Sequence, residues 1–236
     1  MNWKVLIHGK RSDLEYLARH FQTPKLKIEA ESEGYFLSSE RFAGMTARDA
    51  VREETGRLLA ILSGVLGVRR NSRTQLTSEH VILVEPDGSE KVFVNLMDSV
   101  NVETEMEAVV VHRDGADVPV QTPSQPTDNL LDLGLRDANV EKALRLFGAG
   151  SSDWVGLYRL FEVIEADVGG LSSIVGLGWA TNGELRRFKH TANSPGAVGD
   201  QARHGSESTL PPKDPMSLAD ARLLVEQLLR RWLESK

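Results

Sequence analysis

Near the N-terminus apolar residues recur at every second position. Trp3, Val5 and Ile7 alternate with Lys4 and Leu6 before Gly9, which is the period of a strand with one buried face. Ser12 is a candidate N-cap for a helix through Phe21, with Leu14, Leu17, Ala18 and Phe21 on one side. Leu26, Ile28 and Ala30 alternate again, and Tyr35 and Leu37 follow Gly34, predicting two more strands that pair. At Thr46 the period changes. Thr46 and Asp49 match a capping box, and Val51, Leu58, Ile61, Leu62 and Val65 share one helical face to about Leu66. Gly64 and Gly67 are expected to fray the end of that helix, and residues 69–73 read as a small basic loop. Residues 80–84, the turn Pro86-Asp87-Gly88 and residues 91–96 make the clearest hairpin, because Pro and Gly supply the turn dihedrals between two β-rich runs. Residues 101–111 add a last strand. The order β-α-β-β-α-β-β-β predicts a mixed or mainly antiparallel sheet with helices on one face.

Residues 114–129 carry three prolines and little to bury, the composition of a linker or an ordered crossover. After them the period is helical. Val140, Ala143, Leu144 and Phe147 mark a short helix ended by Gly148 and Gly150. Ser152 or Asp153 caps a second, with Leu157, Phe161, Ile164 and Val168 on one stripe. Residues 171–179 are apolar but rich in glycine, so they form either a closely packed helix or two short pieces. Thr181 and Glu184 match another capping box, opening a helix with Leu185 and Phe188 inward that Pro195 closes; residues 194–214 then read as the longest loop. Ser217, with Asp220, caps a last helix whose Leu218, Ala221, Val225, Leu228 and Trp232 form a continuous apolar face. The predicted architecture is α+β: an N-terminal α/β module at 1–112, a linker at 113–133, and a bundle of about four or five helices at 134–236.

Composition changes this picture mainly by exclusion. The length of 236 residues suits two modest domains, and 40% hydrophobic with 26% charged residues is the balance of a folded chain. There is no cysteine, hence no disulfide, thiol nucleophile or thiolate metal site. No uncharged apolar run approaches the roughly 20 residues needed to cross a bilayer, and the N-terminus lacks a signal-peptide core, so a cytoplasmic location without membrane contact is expected. A net charge of -6 argues against coating nucleic acid by bulk electrostatics, so any such contact must be local. Neither a phosphate-binding glycine loop nor a nucleophile elbow occurs. No cofactor or metal is expected: His190, His204 and Asp200 have unconvincing spacing for zinc.

Against this acidic background, residues 181–205 gather three arginines, one lysine and two of the six histidines around Pro195 and several glycines. Arginine offers a planar fork for phosphate or carboxylate, and histidine exchanges a proton near neutral pH. His190, Arg203 and His204 are therefore the candidate catalytic residues, and Arg186, Arg187 and Lys189 the candidate ligand-binding ones. The plainer structural alternative makes the three cations a solvated helix face, has His190 cap a helix C-terminus, and pairs Arg203 with Asp200.

A small helical module with Arg and His around a polar loop resembles the HEPN group of bacterial defence and toxin ribonucleases, over residues 134–236. The resemblance implies RNA as ligand, cleavage without metal, and a homodimer that brings two motifs together. That family leaves four to six residues between an Arg and a following His. Here Arg186 and Arg187 have three and two residues before His190, and Arg203 adjoins His204, which leaves the cleavage chemistry absent or rearranged. The expected function is thus binding of RNA or nucleotide phosphate by a HEPN-like nuclease or a degenerate relative. The alternative is a non-enzymatic interaction or regulatory protein with a protein partner.

Overall fold

The computed structural model describes residues 2–94, 109–111, 129–150, 153–203 and 210–236. It is α+β, with an N-terminal antiparallel sheet and helices followed by a helical region. By contacts it divides into two units, one of residues 1–60 and 74–129, the other of residues 61–73 and 130–236.

The alternation at the N-terminus folds as β1 (Asn2–His8), whose Trp3, Val5 and Ile7 are buried. Helix α1 (Arg11–His20) follows and buries Leu14 and Leu17. Its N-cap is Lys10, whose carbonyl accepts from the N–H groups of Asp13 and Leu14, and not Ser12. The short β2 (Gln22–Thr23), β3 (Leu26–Glu31) and β4 (Gly34–Ser38) come next. After α2 (Arg48–Arg70) the chain returns as β5 (Thr77–Val84), β6 (Glu90–Phe93) and β7 (Val109–Val111). The strand order is β2-β3-β4-β1-β5-β6-β7, and every neighbouring pair is antiparallel. The turn between β5 and β6 closes as the sequence requires, with Gly88 at φ +84° and Ser89 donating its N–H to the Asp87 carboxylate. Of the strand expected at 101–111, residues 101–108 lie outside the described residues, as do residues 95–96 at the end of the hairpin and residues 113–128 of the expected linker.

Between β1 and β5 the register slips. Val5 pairs with Val81 but Ile7 pairs with Ser78, so Glu79 and His80 together oppose Leu6. Such a bulge re-aims side chains, and here the Glu79 carboxylate meets His8 at 2.6 Å and His80 at 3.0 Å.

The second unit begins inside α2. This helix runs on to Arg70, so Gly64 and Gly67 do not fray its end. A glycine in mid-helix costs on the order of 1 kcal/mol relative to alanine, and close packing explains the pair. A Cβ on Gly64 would overlap the carbonyl oxygen of Leu144 and lie 2.7 Å from its carbon, while one on Gly67 would lie 2.7 Å from the Phe147 ring. Both contacts are with α4 (Ala138–Gly148). Arg69 and Arg70 form the last helical turn, and Asn71 ends it in the left-handed conformation at φ 54°, its N–H bonded to Gly67. The residues 61–73 thereby join the helical unit.

That unit continues with α3 (Asn129–Arg136), which begins within the stretch read as linker because Leu130 and Leu131 are buried. Then come α4, α5 (Trp154–Asp167), α6 (Leu171–Gly176), α7 (Asn182–Ala192), the single turn α8 (Pro195–Val198) and α9 (Leu218–Glu234). Asp137, Asp153, Thr181 and Ser217 cap α4, α5, α7 and α9 through their side chains. Pro195 opens α8; α7 has already ended at Ala192, and Asn193 is its C-cap. The core of the unit contains Leu144, Leu160, Phe161, Phe188, Leu228 and Trp232. No helix among the described residues is long and apolar enough to cross a membrane.

Candidate phosphate-binding face

Helix α7 is set by two local devices. The Thr181 hydroxyl accepts from the Glu184 N–H at 3.2 Å, and the Glu184 carboxylate accepts from the Thr181 N–H at 2.8 Å and hydroxyl at 2.6 Å, completing the capping box. Hydrogen bonds from the Thr181 hydroxyl and backbone outweigh partial burial and hold the Glu184 carboxyl below its ordinary range. On the inner side Leu185, Phe188 and Ala192 are buried. Phe188 packs against Trp154, Tyr158 and Phe161 of α5, with ring centroids 6.2, 5.8 and 5.3 Å away. Thr191 is also buried, its hydroxyl accepting from the Met216 N–H at 3.0 Å.

This anchoring distributes the candidate residues unequally. Arg187 donates to the carbonyls of Asp214 and Pro215 at 2.9 and 3.0 Å and pairs with the Asp214 carboxylate at 3.0 Å. Lys189 pairs with Glu165 at 3.0 Å while lying over the Phe161 ring. Arg203 pairs with Glu162 at 2.7 Å, not with Asp200, and its guanidinium lies 4.5 Å from the centre of the Tyr158 ring. Its backbone N–H is held by the Ala192 carbonyl. Arg187 and Lys189 are thus fastened to the loop before α9 and to α5, and the expected solvated face reduces to Arg186. That residue is exposed and makes no ion pair among the described residues.

His190 lies one turn beyond Arg186 on α7. Its Nε2 is 2.8 Å from the Leu210 carbonyl oxygen. A carbonyl only accepts, so Nε2 carries the proton, and the neutral ring keeps its lone pair on Nδ1. The imidazole therefore reaches across to the loop instead of capping its own helix. His204 lies outside the described residues, as do the other residues to 209. Among the described residues no group of three histidine, aspartate or glutamate side chains could hold a metal ion.

Three contributors escaped sequence reasoning. Glu162 and Glu165 of α5, one turn apart, receive Arg203 and Lys189 and join the helix to the cationic stretch. Asn193 donates to the Lys189 carbonyl at 2.7 Å and leaves a buried Oδ1 without a partner among the described residues. The i, i+3 spacing of the two glutamates on an apolar helix was the one available signal. No family model, curated protein or solved structure matches the chain. Chemically, the face offers a guanidinium open to solvent, an imidazole of fixed tautomer one turn away, and an arginine shared with a carboxylate.

Proposed function

We propose that the helical unit, similar to HEPN modules, binds the phosphate of RNA or of a nucleotide through the exposed side of α7. The observation that carries this reading is Arg186, an exposed guanidinium without an ion-pair partner one turn before His190. An anion brought there meets a planar fork on a helix whose start is fixed by the Thr181–Glu184 cap, so the backbone that carries the fork needs no ordering on binding. His190 adds a charge-assisted donor when its ring is protonated. Arg203 joins once phosphate displaces Glu162, a pair with both side chains more than one third exposed (34% and 40%) and therefore weak. Three residues, not four to six, separate Arg186 from His190, so binding is the proposed activity and cleavage does not follow from this face alone.

The test is equilibrium binding of short RNAs and of nucleotides to the full chain and to Arg186→Ala. A hydrogen bond to a charged group contributes roughly 1.5–3 kcal/mol, so the variant should bind at least about tenfold more weakly. Wild-type protein that binds neither ligand, or a variant that binds as tightly as wild type, would overturn the proposal and favour the non-enzymatic interaction protein.

A further inference from the structure

Helix α5 carries a second solvent-facing cation that sequence reasoning passed over. Arg159 is exposed and makes no ion pair among the described residues. It stands three residues before Glu162, about 4.5 Å along the helix axis and on the same side. Glu162 is already engaged by Arg203 at 2.7 Å, and Glu165, a further turn along, is engaged by Lys189 at 3.0 Å. Stepping from one helix to the other, the order of side chains is Arg159, Glu162 with Arg203, Glu165 with Lys189, and then Arg186 one turn before Lys189. The two inner pairs are close to neutral. The uncompensated positive charges are at the two ends, on different helices.

We infer that the phosphate-binding surface extends from α7 onto α5, with Arg159 as its second anchor, and that its ligand is a single-stranded RNA oligomer and not a mononucleotide. This rests on the phosphate reading proposed above. A lone phosphate placed on Arg186 leaves Arg159 unused, whereas a chain of phosphodiesters satisfies both ends and runs along the pairs between them, where it displaces Glu162 from Arg203. The overall charge of -6 disfavours binding by bulk electrostatics, so attraction must be local. A flexible strand can follow so narrow a stripe, while a duplex needs a broad basic surface.

The experiment measures binding of an eight-residue oligouridylate and of uridine monophosphate to the full chain over a range of salt concentrations. The proteins are wild type, Arg159→Ala, Arg159→Lys and Arg186→Ala. All substitutions are at exposed positions, and circular dichroism confirms their folding. Wild type is expected to bind the oligomer at least tenfold more tightly than the mononucleotide. Each alanine variant should reduce the slope of log K against log salt by about 0.7, the value for one phosphate contact on a single strand, and Arg159→Lys should restore it. If Arg186→Ala weakens binding while Arg159→Ala leaves oligomer affinity and slope unchanged, the extension onto α5 is wrong and the phosphate reading stands. Equal affinity for the two ligands also refutes the oligomer assignment. If wild type binds neither, both proposals fall together.

Discussion

At the residue scale, a single hydroxyl sets where the cationic helix begins. Thr181 satisfies the Glu184 N–H and steers the Glu184 carboxylate back to its own backbone, so Thr181→Ala removes the acceptor of the Glu184 N–H and the hydroxyl donor to the Glu184 carboxylate, leaving the backbone N–H of residue 181 alone to hold that carboxylate. The expected cost is about 1 kcal/mol, read as a fall of roughly 2–4 °C in Tm for a chain of this size. The effect has a pH sign. Glu184 titrates below its ordinary value of 4.5 in the folded chain, so its contribution is complete above that pH and is lost as pH falls through the folded-state value. Urea titrations of wild type and variant should therefore differ most at pH 7 and less under acid, where only the bond from the Glu184 N–H to the hydroxyl still separates them. The capping pattern was visible as Thr181 and Glu184 three apart, because capping is local. Ser12 matched equally well in composition and failed, since the chain after Gly9 already enters the helix at Lys10.

At the scale of elements, the decisive feature is how closely two helices approach. Gly64 of α2 lies against the Leu144 backbone of α4, and that neighbour is not a flexible side-chain end that can swing away. Gly64→Ala must push the helices apart despite raising intrinsic helix propensity. It is expected to destabilise the chain by at least about 1–3 kcal/mol, measured as a lower urea midpoint. An alanine that stabilised the protein, as propensity alone predicts, would show that α2 and α4 do not meet in this way. Glycine in a helix was legible only as a weakness in the helix, because its value comes from a partner 80 residues further along the chain. The same limit explains α3, whose Leu130 and Leu131 were too few to stand out beside a proline-rich stretch but are buried in the helical unit.

At the scale of the whole molecule, the helical unit is closed by a polar junction. Lys236 contacts Asp137 at 2.7 Å and Asp167 at 2.8 Å, and Asp167 also accepts from Trp232 Nε1 and Asn139 Nδ2, both at 2.8 Å. The beginning of α4, the end of α5 and the end of α9 meet there. The hydrogen bond from Lys236, with help from the α4 backbone, outweighs burial and holds Asp137 below its ordinary value. At Asp167 burial pushes the other way, but the bonds from Lys236, Trp232 and Asn139 prevail and its value also falls. Both carboxylates thus stabilise the fold above their ordinary value of 3.8, and that stability disappears as pH falls through the folded-state values. Lys236→Met should lower stability at pH 7 by on the order of 1 kcal/mol and by less at acid pH, where the two carboxylates take up protons, as followed by urea denaturation. An equal deficit at both pH values would assign the loss to packing and not to charge.

The sequence alone determined the α+β class, most strands and helices, and two of the four side-chain caps named above, Thr181 and Ser217, without an alternative, because periodicity, turn chemistry and capping all act within a few residues. It also located the cationic stretch at 181–205. Which charges in that stretch remain open was decided only by the tertiary structure. Arg186, Arg187 and Lys189 are near neighbours on one helix, yet Asp214 takes Arg187, Glu165 takes Lys189 and Arg186 is left to solvent. An ion pair depends on where a distant carboxylate arrives in space, and no local pattern in the chain carries that information.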